Sequence, residues 1–382
     1  MNKQKICIIG DGLSGLTSAA VLSKQSNIII DLYIGNKKKD KKIDTRTTAI
    51  SESNFEYIKS NLNFKKDSFF WPSKKINLFF EDDKKIINFL NFEEENRNFM
   101  YIFQNKNFKK KLNKIVNSQK NIKLFKKNIE EIHSRDSFIV CGKKKIFYDL
   151  IILSIGGSSK LYSKIERGRS IVKDYKEVAI TATVRHSAKI KNASQFFLKE
   201  GPLAVLPFQN FLFSIVWSVN NYYFETNKHN LKKILIEQLK KALNINKIKT
   251  IENIQSFPIN LNLKTKYFKK NILILGDGLH TVHPIAGQGF NLVLRDIKKL
   301  SELMSKTSKL GLLFKDSFLF KEFYNSRKPE NNLFGLGINI TNQFFKYNKY
   351  LSPFKKRILN NIKKFNVVKK VSQSMADKGI SL

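Results

Sequence analysis

Cysteine, arginine, proline and tryptophan are all scarce in this chain. Two cysteines among 382 residues, Cys7 and Cys141, cannot build a disulfide framework, so a reducing cytoplasm is the expected home. No run of 18 apolar residues occurs, which argues against an apolar membrane-spanning helix. A strand begins within a few residues of the start, so no cleavable leader is expected. Acidic residues number 31 against 70 basic ones, leaving a net charge of +39. Such an excess suits nucleic acid or an anionic membrane. Yet only nine of the 70 basic residues are arginine, the side chain that reads phosphate with a planar fork. The lysines are spread along the chain among abundant Asn and Ile. Compositional bias therefore ranks first, peripheral contact with anionic lipid second, and no nucleic-acid partner is expected.

The length suits two domains with real cores. Lys5 to Ile9 reads as a buried strand, followed by Gly10-Asp11-Gly12-Leu13-Ser14-Gly15 and a helix to about Lys24. In that context Gly10 makes the turn, Gly12 admits a pyrophosphate, and Gly15 allows close helix–strand packing. A second block lies late, ILILGDGLHTVHPIAGQGFNLVLRD from Ile272 to Asp296. Four apolar residues form a short strand, Gly276-Asp277-Gly278 a tight turn, and Ala286 to Gly289 open a helix reaching about Leu303. Pro284 suits its first turn. Gly287 and Gly289 let a ligand approach backbone N–H groups that lack intrahelical partners, an anion-receiving end beside a carboxylate. A glycine-rich strand-to-helix turn in an ordinary α/β protein is the plainer alternative. If both motifs meet on one ligand, most of the sheet-forming sequence between them is an inserted domain. A cleft between the domains would then hold an apolar aromatic substrate.

The late block resembles the second FAD-binding motif of class A flavin-dependent aromatic hydroxylases, specifically the ubiquinone-biosynthesis branch. Asp277, His280-x-x-His283-Pro284, Gly287-Gln288-Gly289, Asn291 and Arg295-Asp296 fall in register. The resemblance implies that Asp277 holds the ribityl chain. It places the backbone around Gly287, Gln288 and Gly289 against the flavin pyrimidine ring, with Pro284, Phe290 and Asn291 beside it. A helix N-terminus there would stabilise the negative charge of reduced flavin. Arg46, in the segment Asp44 to Ser51, matches the family arginine along the diphosphate, or is a surface charge at a helix entrance. Gln104 matches a residue that approaches the flavin, or is a helix-start polar residue. The run GPLAVLP from Gly201 resembles a signature of the substrate sheet in ubiquinone hydroxylases, though residue chemistry alone also fits a plain sheet. Tyr324 to Arg327 and Thr341 to Phe345 resemble later family segments. Two positions depart from the pattern. Ile34 or Gly35 stands where an acid should hold the adenosine ribose, Asp31 coming too early, and Ile155-Gly156 stands where relatives have Asp-Gly.

The implied fold is α/β: a Rossmann-like FAD-binding domain with an inserted, mostly antiparallel β-sheet substrate domain and a C-terminal helical segment. The expected division is 1–70, 99–170 and 264–330 for FAD, 71–98 and 171–263 for substrate, and 331–382 for the helical segment. The implied activity is hydroxylation of an aromatic ring, a prenylated phenol of ubiquinone biosynthesis, through a flavin C4a-hydroperoxide, with NAD(P)H as donor and dioxygen as oxidant. No side chain is assigned as acid or base, Pro284 being the nearest structural element to the chemistry. The alternatives are a flavin hydroxylase outside ubiquinone synthesis, or a catalytically weakened subunit of a quinone-biosynthesis assembly.

Lys75 to Phe92 alternates as a hairpin, Glu177 to Val184 as a strand. Helices are expected at Ser53–Leu62, Phe108–Val116 and Asn230–Leu243. The tail from Tyr350 to Met375 carries Phe354, Ile358, Ile362, Phe365 and Val368 at helical spacing among lysines. It packs on its own domain or rests a basic face on a membrane. His280 and His283 with Asp277 have the wrong spacing and no third ligand type for a metal, so none is expected. His133, His186 and His229 are isolated and read as structural or exposed, and neither cysteine sits in a nucleophile arrangement.

Overall fold

The structure is a computed structural model and describes residues 3–35, 44–64, 69–83, 85–94, 96–156, 161–162, 170–245, 248–316, 318–346, 357–359 and 366–379. Its first layer is a six-stranded sheet whose order is Phe268–Lys269, Ile272–Ile274, Leu150–Leu153, Gln4–Ile9, Ile28–Tyr33, Ile122–Phe125. All neighbours run parallel except the short hairpin at 268–274. The central strands are apolar on both faces, as a parallel sheet covered by helices requires. The first helix, Leu13–Leu22, is small and apolar and buried from Gly15 onward.

The second layer is an eight-stranded sheet of mostly antiparallel strands. Two 17-residue strands, Ser170–His186 and Ile248–Lys264, pair along most of their length, and the first runs past both ends of the 177–184 strand read from alternation. Register shifts between Asp174 and Glu177 and at two later points let these strands bend. The expected hairpin forms at Lys75–Asp82 and Lys85–Glu93, and Asp83 supplies the left-handed turn residue with φ 53. It joins the large sheet through parallel pairing with Ala193–Leu198. A separate three-stranded ribbon has the order Thr47–Ser51, Met100–Gln104, Trp71–Ser73.

Three helices differ from the sequence reading. The late glycine block starts its helix at Gly289, not 286, and runs to Lys309, because residues 285–287 form a separate 3-10 turn after Pro284. Residues 319–345 form one continuous helix, so the boundary placed at 330/331 cuts through it. Pro329 is tolerated inside because it faces solvent, where water can satisfy the carbonyl it leaves open. Of the tail, Asn366–Lys378 is helical, while Phe354, Ile362 and Phe365 lie outside the described residues.

These helices are tied by a buried ionic cluster. Asp296, with no exposure, accepts from Arg327 at 2.6 Å and from Asn331 at 3.2 Å, and pairs with His280 at 2.7 Å. Arg327 also bonds Glu330, and Arg295 donates to the Ala376 and Asp377 carbonyls. Asp377 in turn caps the helix Glu52–Leu62 through the Ser53 amide at 2.8 Å and pairs with Arg97 at 3.1 Å. Burial alone would raise the Asp296 carboxyl, but Arg327 and His280 outweigh it and hold it below its ordinary range.

Asp296→Ala is expected to cost about 3–5 kcal/mol in urea unfolding, since it strands a buried guanidinium. A depressed folded-state carboxyl contributes stability that is present above about pH 4 and lost as the pH falls through the folded value. Asp296→Asn should therefore flatten the acid limb of the stability curve relative to the parent chain.

Candidate active site

The first glycine turn leaves its strand with Gly10 at φ +139, and its amide donates to the Tyr33 carbonyl at 2.9 Å. A Cβ on Gly10 would sit 2.1 Å from the Ser154 carbonyl oxygen, and one on Gly15 would sit 2.4 Å from the Gly10 carbonyl oxygen. Both glycines therefore serve close backbone packing. Gly12 differs: nothing lies within 4 Å of its would-be Cβ. It caps the first helix in extended conformation with no side-chain cap, leaving helix N–H groups open.

The late turn touches the early one. Gly276, at φ +75, leaves room for Ser14, whose Oγ would lie 2.7 Å from an added Cβ. A cleft of about 1640 Å³ runs along this junction. Gly10, Asp11, Gly12, Leu13 and Ser14 line it together with Asp277, Gly289 and Phe290. A smaller chamber of about 320 Å³ lies under the large sheet, walled by Ile76, Met100, Leu206, Val216, Phe257 and Pro284 among others. Arg46, Thr47, Thr48, Gly289 and Phe290 line both cavities and so form the doorway between them.

Arg46 is held in that doorway by Asp44, donating to its two carboxylate oxygens at 2.8 and 2.9 Å. Its guanidinium lies 5.0 Å from the centre of the Phe257 ring. Burial pushes the Asp44 carboxyl up, but Arg46 and the Asn105 amide bring it below the ordinary range. Asn105, unforeseen from sequence, donates to Asp44 at 3.1 Å, accepts from Thr48 at 2.6 Å, and lines the cleft. The expected neighbour Gln104 does not. It ends its strand facing a separate cavity of about 230 Å³ with Thr45, Arg185 and Thr250, and its amide oxygen accepts from Asn107 at 3.3 Å. Gln104 ends the strand and Asn105 opens the following helix, so the chain turns between them and their side chains enter different cavities.

Among the other expected residues, Pro284 and Gly287 line the chamber, and Gly287 adopts φ +63. Gln288 is buried without lining either cavity. Asn291 is a brace: its Oδ1 accepts from the Ser51 amide at 2.9 Å and from Asn54 at 2.8 Å. Ile34, Gly35, Ile155 and Gly156 line the cleft at the two departures from the family pattern. Asp31 is 3% exposed and accepts from the Tyr148 hydroxyl at 2.7 Å, which makes it a strut of the sheet. The cleft rim carries Lys106, Lys109, Lys110, Lys114 and Lys127, with Lys109 paired to Asp11 at 3.0 Å.

His280 and His283 do not converge. His280 pairs with Asp296, and His283 with Glu177 at 2.8 Å. Among the described residues no group of three His, Cys, Asp or Glu side chains is arranged to hold a metal.

A profile described as an FAD binding domain matches residues 164–309. A ubiquinone biosynthesis monooxygenase, COQ6, of Dictyostelium discoideum is 27% identical over 324 residues, covering 69% of this chain and 65% of that protein. The ubiquinone hydroxylase UbiL of Rhodospirillum rubrum is 28% identical over 166 residues, 42% of this chain and 38% of that one. Residues 164–309 are thus an FAD binding domain within a longer chain. Its cofactor is FAD. The chain spans less than two thirds of the length of these curated relatives. The fold is shared with p-nitrophenol 4-monooxygenase PnpA of Pseudomonas putida, at TM-score 0.77 and 12% identity over 100% of this chain and 99% of that one. It is shared also with PqsL of Pseudomonas aeruginosa, at TM-score 0.72 and 14% identity over 97% and 100%.

The two glycines of the first turn predict opposite outcomes in this flavoprotein fold. Gly10→Ala is expected to cost about 2–5 kcal/mol in thermal or urea unfolding, from left-handed strain and displaced backbone. Gly12→Ala should stay within about 1 kcal/mol of the parent in the same measurement.

Proposed function

We propose that this chain is an FAD-dependent monooxygenase that hydroxylates an aromatic ring, and that its substrate is a prenylated phenol of the ubiquinone pathway. The observation that carries this reading is the joining of one long cleft, lined by both glycine turns, to an apolar chamber through a shared doorway. The names of the matched relatives support the substrate class.

The open cradle at Gly12 and the exposed helix N–H groups fit a diphosphate. In this reading Gly10, Gly12, Leu13, Ser14 and Gly15 build the diphosphate site, with Arg46 as a cation toward it. Asp277 would hold the ribityl chain. Pro284, the backbone at Gly287, Gln288 and Gly289, and Phe290 would hold the isoalloxazine, while Asn291 supports that turn from behind. Gln104 drops out of the set. The divided arrangement, 1–70, 99–170 and 264–330 around the cofactor with 71–98 and 171–263 over the substrate, follows from the same reading. So does a C-terminal segment that clamps the cofactor helix. Bound FAD, reduced by NAD(P)H, supplies the activation of dioxygen and the delivery of a hydroxyl group.

The protein's own contribution is placement and exclusion of water. A chamber of about 320 Å³ is at the lower end of ligand pockets and takes a substituted ring with its first prenyl carbons. A longer tail must run out of it. The unpaired helix end at Gly289 offers its positive pole where negative charge develops. The lysines on the cleft rim draw in an anionic dinucleotide.

No helix among the described residues is long and apolar enough to cross a membrane. The net charge of +39 supports peripheral contact with anionic lipid, where a prenylated substrate resides. A second reading, a weakened flavoprotein subunit of a quinone-biosynthesis assembly, draws on the uncharged Ile34-Gly35 and Ile155-Gly156 in the cleft.

Purified protein is expected to be yellow and to oxidise NAD(P)H when given 2-prenylphenol, with one oxygen atom from labelled dioxygen in the product. Asp277→Ala should weaken FAD binding about 10- to 100-fold, the loss of one charge-assisted hydrogen bond. Full FAD retention in that variant would count against the assignment. A yellow protein that turns over no phenol favours the subunit reading.

A further inference from the structure

Large apolar side chains are left uncovered mainly on one stretch of this protein. Twelve stand exposed among the described residues, and seven of them fall between 310 and 340. Four of the seven, Leu310, Leu312, Leu313 and Phe318, crowd into the connection between the helices Gly289–Lys309 and Leu319–Phe345. Leu310 is 62% exposed and Phe318 64%. Single exposed apolar residues are ordinary on a protein surface, but a cluster of them marks a surface that meets something.

The backbone of this connection is tied down. Gly311 turns the chain at φ +72, its amide donating to the Ser308 carbonyl at 3.0 Å, and the Leu312 amide donates to Thr307 at 3.1 Å. Gln4 clamps the next residues: its Nε2 donates to the Leu312 carbonyl at 3.4 Å, and its Oε1 accepts from the Phe314 amide at 2.7 Å. The Phe314 ring is fully buried in the core of the parallel-sheet domain. The leucines before this anchor are thereby kept from folding back onto the protein.

Positive charge surrounds the cluster. Residues 298–321 carry six lysines, at 298, 299, 306, 309, 315 and 321, against two acids, Glu302 and Asp316. At one end of the connection a groove of about 670 Å³ brings Leu310 together with Lys298, Lys306 and Lys309, and Glu302 also lines it. At the other end a groove of about 540 Å³ brings Lys321 together with Lys266, Lys269, Phe268 and Tyr324. Lys306 keeps an exposed pair with Glu322 at 3.7 Å, a contact worth little in water. Apolar tips between lysine grooves complement a bilayer interface, where acyl chains lie beneath a layer of anionic phosphate.

We propose that the 310–318 segment is a docking face for an anionic lipid bilayer, its leucines and Phe318 entering the headgroup region and the flanking lysines meeting lipid phosphate. This rests on the peripheral contact read above from net charge and gives that contact a location; it does not depend on the chemistry at the flavin. The following helix continues the face. Phe318 and Leu336 are five helical turns apart and so lie on the same side, with Leu333 and Ile340 exposed beside them. The inner side of that helix carries Ile338, which shares an apolar cluster with Val282 of the chamber wall. One helix therefore runs from the docking segment to the back of the chamber.

The test is sedimentation of the full FAD-loaded chain with vesicles of equal parts phosphatidylcholine and phosphatidylglycerol, and with phosphatidylcholine alone. The parent protein should bind the mixed vesicles and hold the neutral ones at least about 10-fold more weakly. Leu313→Ser combined with Phe318→Ser should lower affinity for the mixed vesicles about 10- to 100-fold. Lys309→Ala combined with Lys321→Ala should lower it about 10- to 30-fold, whereas Lys232→Ala combined with Lys233→Ala, on the helix Leu231–Leu243 of the large-sheet domain, should change it less than about 2-fold. A fluorescent reporter places the contact: Leu313→Trp should shift its emission to the blue and be quenched by brominated lipid, while Tyr222→Trp should do neither. If the parent binds and both the Leu313/Phe318 and the Lys309/Lys321 variants bind equally well, the contact is diffuse charge and this face is overturned. If the parent binds no vesicle, the face and the peripheral contact both fall, and the hydroxylase reading is untouched. If the chain instead sediments as a dimer that the Leu313/Phe318 variant splits, the face belongs to a second copy and the bilayer proposal is overturned. Should a double variant fail to fold, the Leu313→Trp reporter decides the matter, since it leaves every lysine in place.

Discussion

The contact between Ser14 and Gly276 is the constraint on which the site depends. Each turn ends a strand of the same parallel sheet, and the strand between them, Leu150–Leu153, pairs with both neighbours. A side chain at Gly276 would collide with Ser14 and push the late turn away from the early one. With the glycine, one cleft is continuous from the first helix end to the doorway at Arg46. Everything proposed for the cofactor and the substrate chamber requires that continuity.

Buried charge holds the surrounding pieces in place. Asp296, Arg327, Glu330 and Asn331 join two long helices, and Arg295 carries the connection to the C-terminal helix. Asp377 then reaches the start of the helix Glu52–Leu62, whose N-cap Ser51 closes the doorway strand. Such a cluster is costly to desolvate and gives little net stability relative to an apolar core, but it tolerates few alternative arrangements. That intolerance suits a set of elements that must keep two cavities aligned. A separate chain, Lys346 to Glu177 to His283, links the end of the same long helix to the chamber wall.

The motif residues were legible because each obeys a local rule. Gly10 and Gly15 are required by backbone contacts, Gly12 borders open space, and the strand–turn–helix order brings them together. Residues adjacent in sequence can face different spaces. Gln104 and Asn105 stand side by side, yet only Asn105 enters the cleft. The side chains of Gln288 and Asn291 are buried beside the glycine turn, and Asn291 braces Ser51 and Asn54. Asp31, which sat too early to serve a ribose, proves to be a strut buried beneath the Tyr148 hydroxyl.

What the sequence determined by itself was the pair of nucleotide-type turns, the periodicity of the helices and the alternation of the strands. These depend on neighbours a few residues apart, where backbone sterics and apolar spacing act directly. Only the tertiary structure decided which carboxylate each histidine meets, how far the two 17-residue strands extend, and that Arg46 stands between two cavities. Those outcomes turn on pairings between distant segments, whose partners are chosen by packing and by the cost of leaving a buried charge alone.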